Sequence, residues 1–292
     1  MNPAVLWRAT RAYSLPASII PVLLGTVLAA RGYGIAGAPR PFSFPTFVLI
    51  LLGAVLAHFG ANVLNDYFDF VKGVDTRPEH GSGVLTSGQM TPTQTLVFAV
   101  VLFAGAAACA LFLVKDHAAV VVLLGLIGLG CAVLYPLFLK QYGLGDLLII
   151  LAFGLGLTLG AYGVQASAPT AKSWLWIAFY SLPICLLVDA ILHANNLRDA
   201  ADDRAAHVRT LATYLSPLAG RRWQLFLLFG PICFVLAGVL LRILPVWSFA
   251  TLLAVPLLMR SARSGSVPAT AQTHYVFGLL YTASFLLKPV FL

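Results

Sequence analysis

Two stretches of this sequence concentrate side chains able to do chemistry. The first is Asn62-Val-Leu-Asn65-Asp66-Tyr-Phe-Asp69-Phe-Val-Lys72-Gly73-Val-Asp75. On a continuing helix, Asn62, Asn65, Asp66 and Asp69 recur every three or four residues and share one face. The second is Asp189 followed by Asn195-Asn196-Leu-Arg198-Asp199-Ala-Ala-Asp202-Asp203, in which Asp199 and Asp203 stand one helical turn apart. Carboxylates flanked by Asn, Lys and Arg suit one ligand type. Mg2+ is a hard cation, usually held by one or two carboxylates, water and substrate phosphates. Two facing clusters could hold metal ions that bridge a diphosphate, with Lys72, Arg198 or Arg209 neutralising the remaining charge. Loop acids that are merely solvated, or paired with arginines, account for one Asp at a helix end. They do not account for two clusters about 130 residues apart, each following an apolar span. Asp189 lies a turn or two inside its span, where an acid is either functional or paired with a core Tyr or Asn.

The elements that must position these residues are set by composition. Of 292 residues, 60% are hydrophobic and 10% charged, and the mean hydropathy is +0.92. A soluble domain is roughly 45–50% apolar and about 25% charged, so lipid must surround most of this chain. That excludes a disordered tail, a secreted disulfide scaffold and a free cytosolic enzyme. A span takes about 20 apolar residues, and apolar runs near 14–31, 44–65, 93–114, 118–138, 144–166, 173–197, 222–241, 244–260 and 271–291 give about nine. The expected fold is all-α, a multi-pass bundle around a central cavity, with residues 1–292 as a single domain. The longest polar connections, near 66–92 and 198–221, follow the second and sixth spans and carry the acidic stretches.

Lys and Arg divide twelve to six between the two sides of such a bundle, which puts the N-terminus in the cytoplasm. Nine of the ten acids fall on that same side, with Asp116 alone opposite; carboxylates are not topology signals, so they need a chemical cause. The net charge of +8 comes from cations scattered singly in short loops, a pattern of headgroup contact that implies no nucleic-acid partner. Cys109, Cys131, Cys185 and Cys233 sit in apolar runs and read as small apolar residues. No cleaved signal peptide is expected. Gly156 with Gly160, and Gly125, Gly128 and Gly130, read as helix-packing positions, and Pro21, Pro183, Pro231 and Pro256 as kinks inside the bundle.

The two acidic stretches resemble those of the UbiA superfamily of membrane prenyltransferases, whose members carry Asp-rich motifs after the second and sixth of nine helices. The spacing Asn65-Asp66-Tyr-Phe-Asp69-Phe-Val-Lys72-Gly73-Val-Asp75 looks like the branch of 1,4-dihydroxy-2-naphthoate prenyltransferases and their animal menaquinone-4 relatives. Asn195-Asn196-Leu-Arg198-Asp199-Ala-Ala-Asp202-Asp203-Arg204 matches that branch's second motif, and Thr210-Leu211-Ala212 continues it. Gly81-Ser82-Gly83-Val84-Leu85, Leu134-Tyr135-Pro136, Lys140, Tyr142 and Gly143-Leu144-Gly145-Asp146 resemble its connecting segments. The resemblance covers nearly the whole chain. It departs at His207, where a Gly is common, at Val208, where a Lys is common, and at Arg11-Ala12, where Arg-Pro is usual.

The resemblance implies electrophilic prenylation of an aromatic acid. Asp69, Asp199 and Asp203, with Asp66 or Asp75, would bind Mg2+ and a polyprenyl diphosphate. The acceptor would be 1,4-dihydroxy-2-naphthoate, losing CO2 to give a demethylmenaquinone. Asn62, Asn65, Lys72, Tyr135, Lys140, Asn195, Arg198 and Arg209 are the substrate-binding candidates, and the setting is a bacterial cytoplasmic membrane. Phe59, Phe68, Phe153 and Tyr162 are candidates to shield an allylic cation, and His58, His193 and His274 are candidate acceptor-side bases; each is otherwise ordinary packing. Two alternatives stand beside this reading. One is the same chemistry on 4-hydroxybenzoate, against which the Lys72-Gly73 spacing and the paired asparagines argue. The other is a cation-coupled transporter, which inverted repeats or interrupted helices would favour.

Overall fold

A computed structural model describes residues 2–34, 41–78, 81–137, 139–205 and 207–287, with the side chains of Lys140 and Gln141 outside the description. Every regular element among the described residues is helical. A short α1 (Pro3–Ala9) and a 3-10 turn (Ala12–Ser14) lead into α2 (Pro16–Ala30), α3 (Phe44–Val71) and α4 (Pro92–Leu137). Next come α5 (Gly145–Ile149), a π-helical turn (Ile150–Gly156), α6 (Leu157–Gln165) and α7 (Ala171–Ala205). The chain closes with α8 (Leu211–Tyr214), α9 (Pro217–Leu240), a 3-10 segment (Val246–Ala254), α10 (Val255–Ser264) and α11 (Val267–Leu286).

Among the described residues, six helices are long and apolar enough to cross a membrane. The expected spans at 93–114 and 118–138 are the two halves of α4, two helices that meet at a kink at His117, where the backbone leaves helical geometry. The expected span at 244–260 divides into the 3-10 segment and α10. Helix starts follow a shared local rule: Ser43, Ser216 and Ser266 each accept a hydrogen bond from the backbone N–H three residues on, with Pro in the first turn. The serine satisfies an orphan donor, and the proline sits where no N–H is needed. Pro21, Pro183 and Pro231 lie inside helices, but Pro256 opens α10 rather than kinking it.

In lipid, apolar burial does not drive helices together, so small residues and interhelical hydrogen bonds carry the packing. Of the anticipated glycines Gly156 is tight, a Cβ there standing 2.8 Å from the Leu151 carbonyl oxygen, while clear helix-to-helix approaches occur at other glycines. A Cβ on Gly25 would collide with the Thr158 carbonyl, tying α2 to α6, and one on Gly278 would collide with Ile20, tying α11 to α2. By contrast, Gly125 and Gly128 face open space, and Gly160 has only Leu124 nearby. The Tyr162 hydroxyl donates to the Tyr33 carbonyl at 2.9 Å, and Tyr281 donates to the Tyr180 carbonyl at 3.0 Å. The main core, with Ile20, Leu24, Tyr162, Ile184, Leu187, Leu227 and Phe277 fully buried, joins α2, α6, α7, α9 and α11. A second cluster around Val63, Val84, Met90 and Ala99 joins α1, α3, the 81–90 loop and α4. A third, around Val22, Ala54 and Ala161, joins α2, α3 and α6, and a cavity opens among α2, α3, α4, α6 and α7.

Candidate active site

The cavity measures about 710 Å3 and receives residues from both acidic stretches. Asn62, Asn65, Asp69 and Asp75 line it from α3 and the turn that follows; Asn195, Asn196, Asp199, Asp202 and Asp203 line it from α7. Arg11 and Tyr135 also reach it, and its remaining wall is largely apolar, including Ala54, Ala57, Ala106, Ala110 and Phe153.

The two motif helices present their acids in the same way. Asn65 Nδ2 donates to Asp69 Oδ2 at 2.8 Å, and Asn195 Nδ2 donates to Asp199 Oδ2 at 3.2 Å. Each is an i, i+4 pair, so the amide fixes a carboxylate one turn on. Both helices also end alike. Gly73 takes φ +71°, and the Val74 and Asp75 N–H groups donate back to the Asp69 carbonyl at 2.8 and 3.1 Å. His207 takes φ +56°, and the Val208 N–H donates to the Asp203 carbonyl at 2.8 Å. A left-handed residue after the last turn closes a helix by recapturing its free carbonyls. The Lys72-Gly73 spacing therefore has a geometric role: it turns the chain so that Asp75 returns to the cavity. The position where the family commonly has Gly is the left-handed one, and His207 occupies it here, a conformation for which His is enriched among non-glycine residues.

Other candidates have roles in holding the site together. Asp66, 4% exposed, forms an ion pair with Arg11 and accepts from the Ser82 N–H at 3.0 Å. A Cβ on Gly81 would stand 2.7 Å from Asp66 Oδ1, 2.8 Å from Arg11 Nη2 and 2.8 Å from Asp75 Oδ2, with φ at +60°. Only a glycine lets the 81–83 loop close over this trio. Lys72 Nζ donates to the carbonyls of Pro136 and Leu137 at 2.6 and 2.8 Å, capping the C-terminal end of α4. Arg198 grips Asp199 with two nitrogens, each at 2.7 Å, and also donates to Asn195 Oδ1 at 2.9 Å. Arg209 is exposed and not among the cavity-lining residues. Lys140 lies in the 3-10 turn Leu139–Tyr142, its side chain beyond the described set.

Two arginines have partners that sequence spacing does not announce. Arg11 clasps Asp66, and Arg77 pairs with Asp202, joining the loop after α3 to α7. Among the aromatic candidates, Phe153 lines the cavity, edge-on to His58, whereas Tyr162 is core. Phe59 packs on Trp7, and Phe68 lies beneath Lys72. His58 lines the cavity between Ser14 and Ser18, at 2.8 and 2.6 Å. Ser14 donates its one proton to the Arg11 carbonyl, so His58 Nε2 carries the hydrogen toward Ser14 and Nδ1 accepts from Ser18. His274 is fully buried away from the cavity.

The donor set is hard oxygen throughout: carboxylates and amides, with Asn65 Oδ1 buried and without a protein partner. Such donors suit a cation such as Mg2+, which uses few carboxylates and completes its shell with water and phosphate oxygens.

Residues 18–287 match the model of the UbiA prenyltransferase family. The chain is 32% identical over 287 residues to the UbiA prenyltransferase domain-containing protein 1 homolog of Drosophila melanogaster, covering 94% of this chain and 77% of that protein. To the Homo sapiens UbiA prenyltransferase domain-containing protein 1 it is 30% identical over 297 residues, covering 96% and 83%. Its fold is similar to an apo UbiA homolog from Aeropyrum pernix K1, with TM-score 0.67, 17% identity, and 93% and 96% coverage. It is also similar to a UbiA homolog from Archaeoglobus fulgidus bound to GPP and Mg2+, with TM-score 0.62, 13% identity, and 96% and 98% coverage.

Proposed function

This chain belongs to the UbiA prenyltransferase family, and on that premise we propose that it moves a polyprenyl group from a polyprenyl diphosphate to an aromatic acid within a membrane. The observation that carries the reading is the shared cavity: acids of α3 and α7 meet at one polar region while the remaining wall is apolar. Asp69, Asp75, Asp199 and Asp203 would hold Mg2+ together with the diphosphate. Bound Mg2+ supplies electrophilic stabilisation of the departing diphosphate oxygens. Asn65 and Asn195 orient the carboxylates, while Arg198 and Arg11 offset charge at the polar end. The allylic C–O bond breaks with its electron pair leaving on the diphosphate. The acceptor's ring carbon supplies the pair for the new C–C bond, and the ring recovers aromaticity as the C–CO2 bond gives up its electrons. Apolar walls exclude water from the cation, and Phe153 offers it an aromatic surface. An isoprenoid tail is already dissolved in the bilayer, so it reaches such a cavity without crossing water.

The acceptor we favour is 1,4-dihydroxy-2-naphthoate. Support comes from the Lys72-Gly73 spacing and the Asn195-Asn196 pair. We place the acidic face on the cytoplasmic side, where twelve of the eighteen Lys and Arg fall. The test is product mass from purified protein offered several prenyl diphosphates with 1,4-dihydroxy-2-naphthoate and 4-hydroxybenzoate in competition. A prenylated, decarboxylated naphthoquinol is expected; a prenylated hydroxybenzoate would move the assignment to the other acceptor, and no metal-dependent product would overturn it.

A further inference from the structure

One polar spot interrupts the apolar wall of the cavity beyond the acids. Asn62, Ser14 and His58 line it, and Phe153 meets His58 edge-on with ring centroids 5.1 Å apart. The Asn62 amide has one possible orientation. Its Nδ2 lies 2.9 Å from the Thr10 carbonyl oxygen and 3.2 Å from Ser14 Oγ. A carbonyl only accepts, so the nitrogen must face Thr10, and both of its hydrogens are engaged. Ser14 gives its proton to the Arg11 carbonyl at 2.9 Å, so its oxygen accepts from Asn62 and, at 2.8 Å, from His58 Nε2. His58 Nδ1 accepts in turn from Ser18 at 2.6 Å.

Both nitrogens of His58 are thus engaged, which leaves it no lone pair for use as a base. What remains is Asn62 Oδ1. No donor among the described residues reaches it, and, unlike Asn65 Oδ1, it is not sealed off but opens on the cavity that Asn62 lines. An amide oxygen held without a donor in a largely apolar hollow selects a ligand that brings one.

Its position suits the acceptor ring. His58, Asn62, Asn65 and Asp69 fall at i, i+4, i+7 and i+11 on α3 and share the cavity face. Asn62 stands about 10 Å from Asp69 along the helix axis, room for a diphosphate at the acids and a reacting ring beside Asn62. The ring carbon that attacks is next to a hydroxyl. As that carbon takes the prenyl group the ring becomes electron-poor, and the hydroxyl becomes a stronger donor. A carbonyl oxygen already in place therefore binds the transition state more tightly than the ground state. The hydroxyl keeps its proton throughout, because the C–CO2 bond returns its electron pair to the ring. We propose that Asn62 Oδ1 receives this hydroxyl and so selects phenolic acceptors, with Ser14, His58 and Ser18 as positioning residues that hold its amide. The proposal rests on the prenyl-transfer reading above.

The test compares 1,4-dihydroxy-2-naphthoate with its 1-O-methyl ether, which still releases electrons to the reacting carbon but brings no hydrogen. The parent is expected to favour the hydroxyl form by about 100-fold or more in kcat/KM. Asn62→Leu is expected to reduce that preference to within about tenfold, with the prenyl diphosphate KM within about threefold of the parent. His58→Gln can still donate to Ser14 and is expected to keep kcat within about threefold, whereas His58→Leu should lose about tenfold. The inference is overturned if the parent turns over the ether as readily as the hydroxyl form, or if Asn62→Leu keeps the parent's preference. It is also overturned if His58→Gln is as impaired as His58→Leu, the mark of a base. Should Asn62→Leu fail to fold, the parent's preference and the His58 variants still decide. If 4-hydroxybenzoate proves to be the acceptor, 4-methoxybenzoate takes the place of the ether. A parent that transfers no prenyl group overturns the proposed function and this inference with it; transfer without the hydroxyl preference overturns the inference alone.

Discussion

Arg11 and Asp66 form an ion pair with side chains 14% and 5% exposed, and such pairs behave asymmetrically. Breaking one by removing a single partner leaves an uncompensated buried charge and costs about 3–5 kcal/mol, whereas neutralising both is far milder. Arg11→Met is therefore expected to lower the thermal midpoint of the detergent-purified protein sharply. Adding Asp66→Asn should recover part of the loss, because the amide oxygen it introduces can still accept from the Ser82 N–H. Purely additive midpoints would contradict the clasp. The acids that face the cavity are expected to behave otherwise. Asp199→Asn with Asp203→Asn should leave the fold intact and cut prenyl transfer by about 100-fold or more, as when preorganised charge stabilisation is removed; near-parent turnover in excess Mg2+ would contradict their role. The acidic residues themselves were legible from type and spacing. The Arg11–Asp66 and Arg77–Asp202 pairs were not, because no local periodicity links residues that meet only after the helices are packed.

At the scale of elements, the two motif helices share one termination geometry with different residues in the left-handed position. Gly73 needs only its φ, since a Cβ there would touch nothing, so Gly73→Ala should cost about 1 kcal/mol. His207 already bears that cost, so His207→Gly should gain a comparable amount or nothing, read from paired thermal midpoints of the two variants. The glycines offer a second comparison. Gly25→Ala places a methyl into the Thr158 carbonyl and is expected to abolish the folded, monodisperse protein, while Gly125→Ala points into open space and should leave its elution profile unchanged. Apolar run length located the helices well, because the bilayer imposes it. It also placed the break between the spans 93–114 and 118–138 where the backbone leaves helical geometry, at His117 (φ −138°, ψ 34°). Small-residue spacing could not say which glycines face a helix and which face a hollow, because both settings demand a missing side chain.

For the molecule as a whole, the packed helices leave one cavity lined by α2, α3, α4, α6 and α7. The electrostatic argument that two acidic clusters need a common counter-charge anticipated that they would meet, since neither could be left unpaired beside lipid without a cost of several kcal/mol. It could not specify the supporting contacts. Lys72, read from the sequence as a diphosphate ligand, directs its donors to the end of α4, a carbonyl-capping role that only the folded helix end creates. The central claim is that α3 and α7 act on one diphosphate together through Mg2+. Calorimetric binding of a non-hydrolysable prenyl diphosphate analogue, with Mg2+ and then with EDTA, to the parent, Asp69→Asn and Asp199→Asn proteins tests it most directly. Tight binding only with Mg2+, weakened by about tenfold or more in each single variant, is the predicted result; equal affinity in EDTA, or loss in one variant alone, would contradict it.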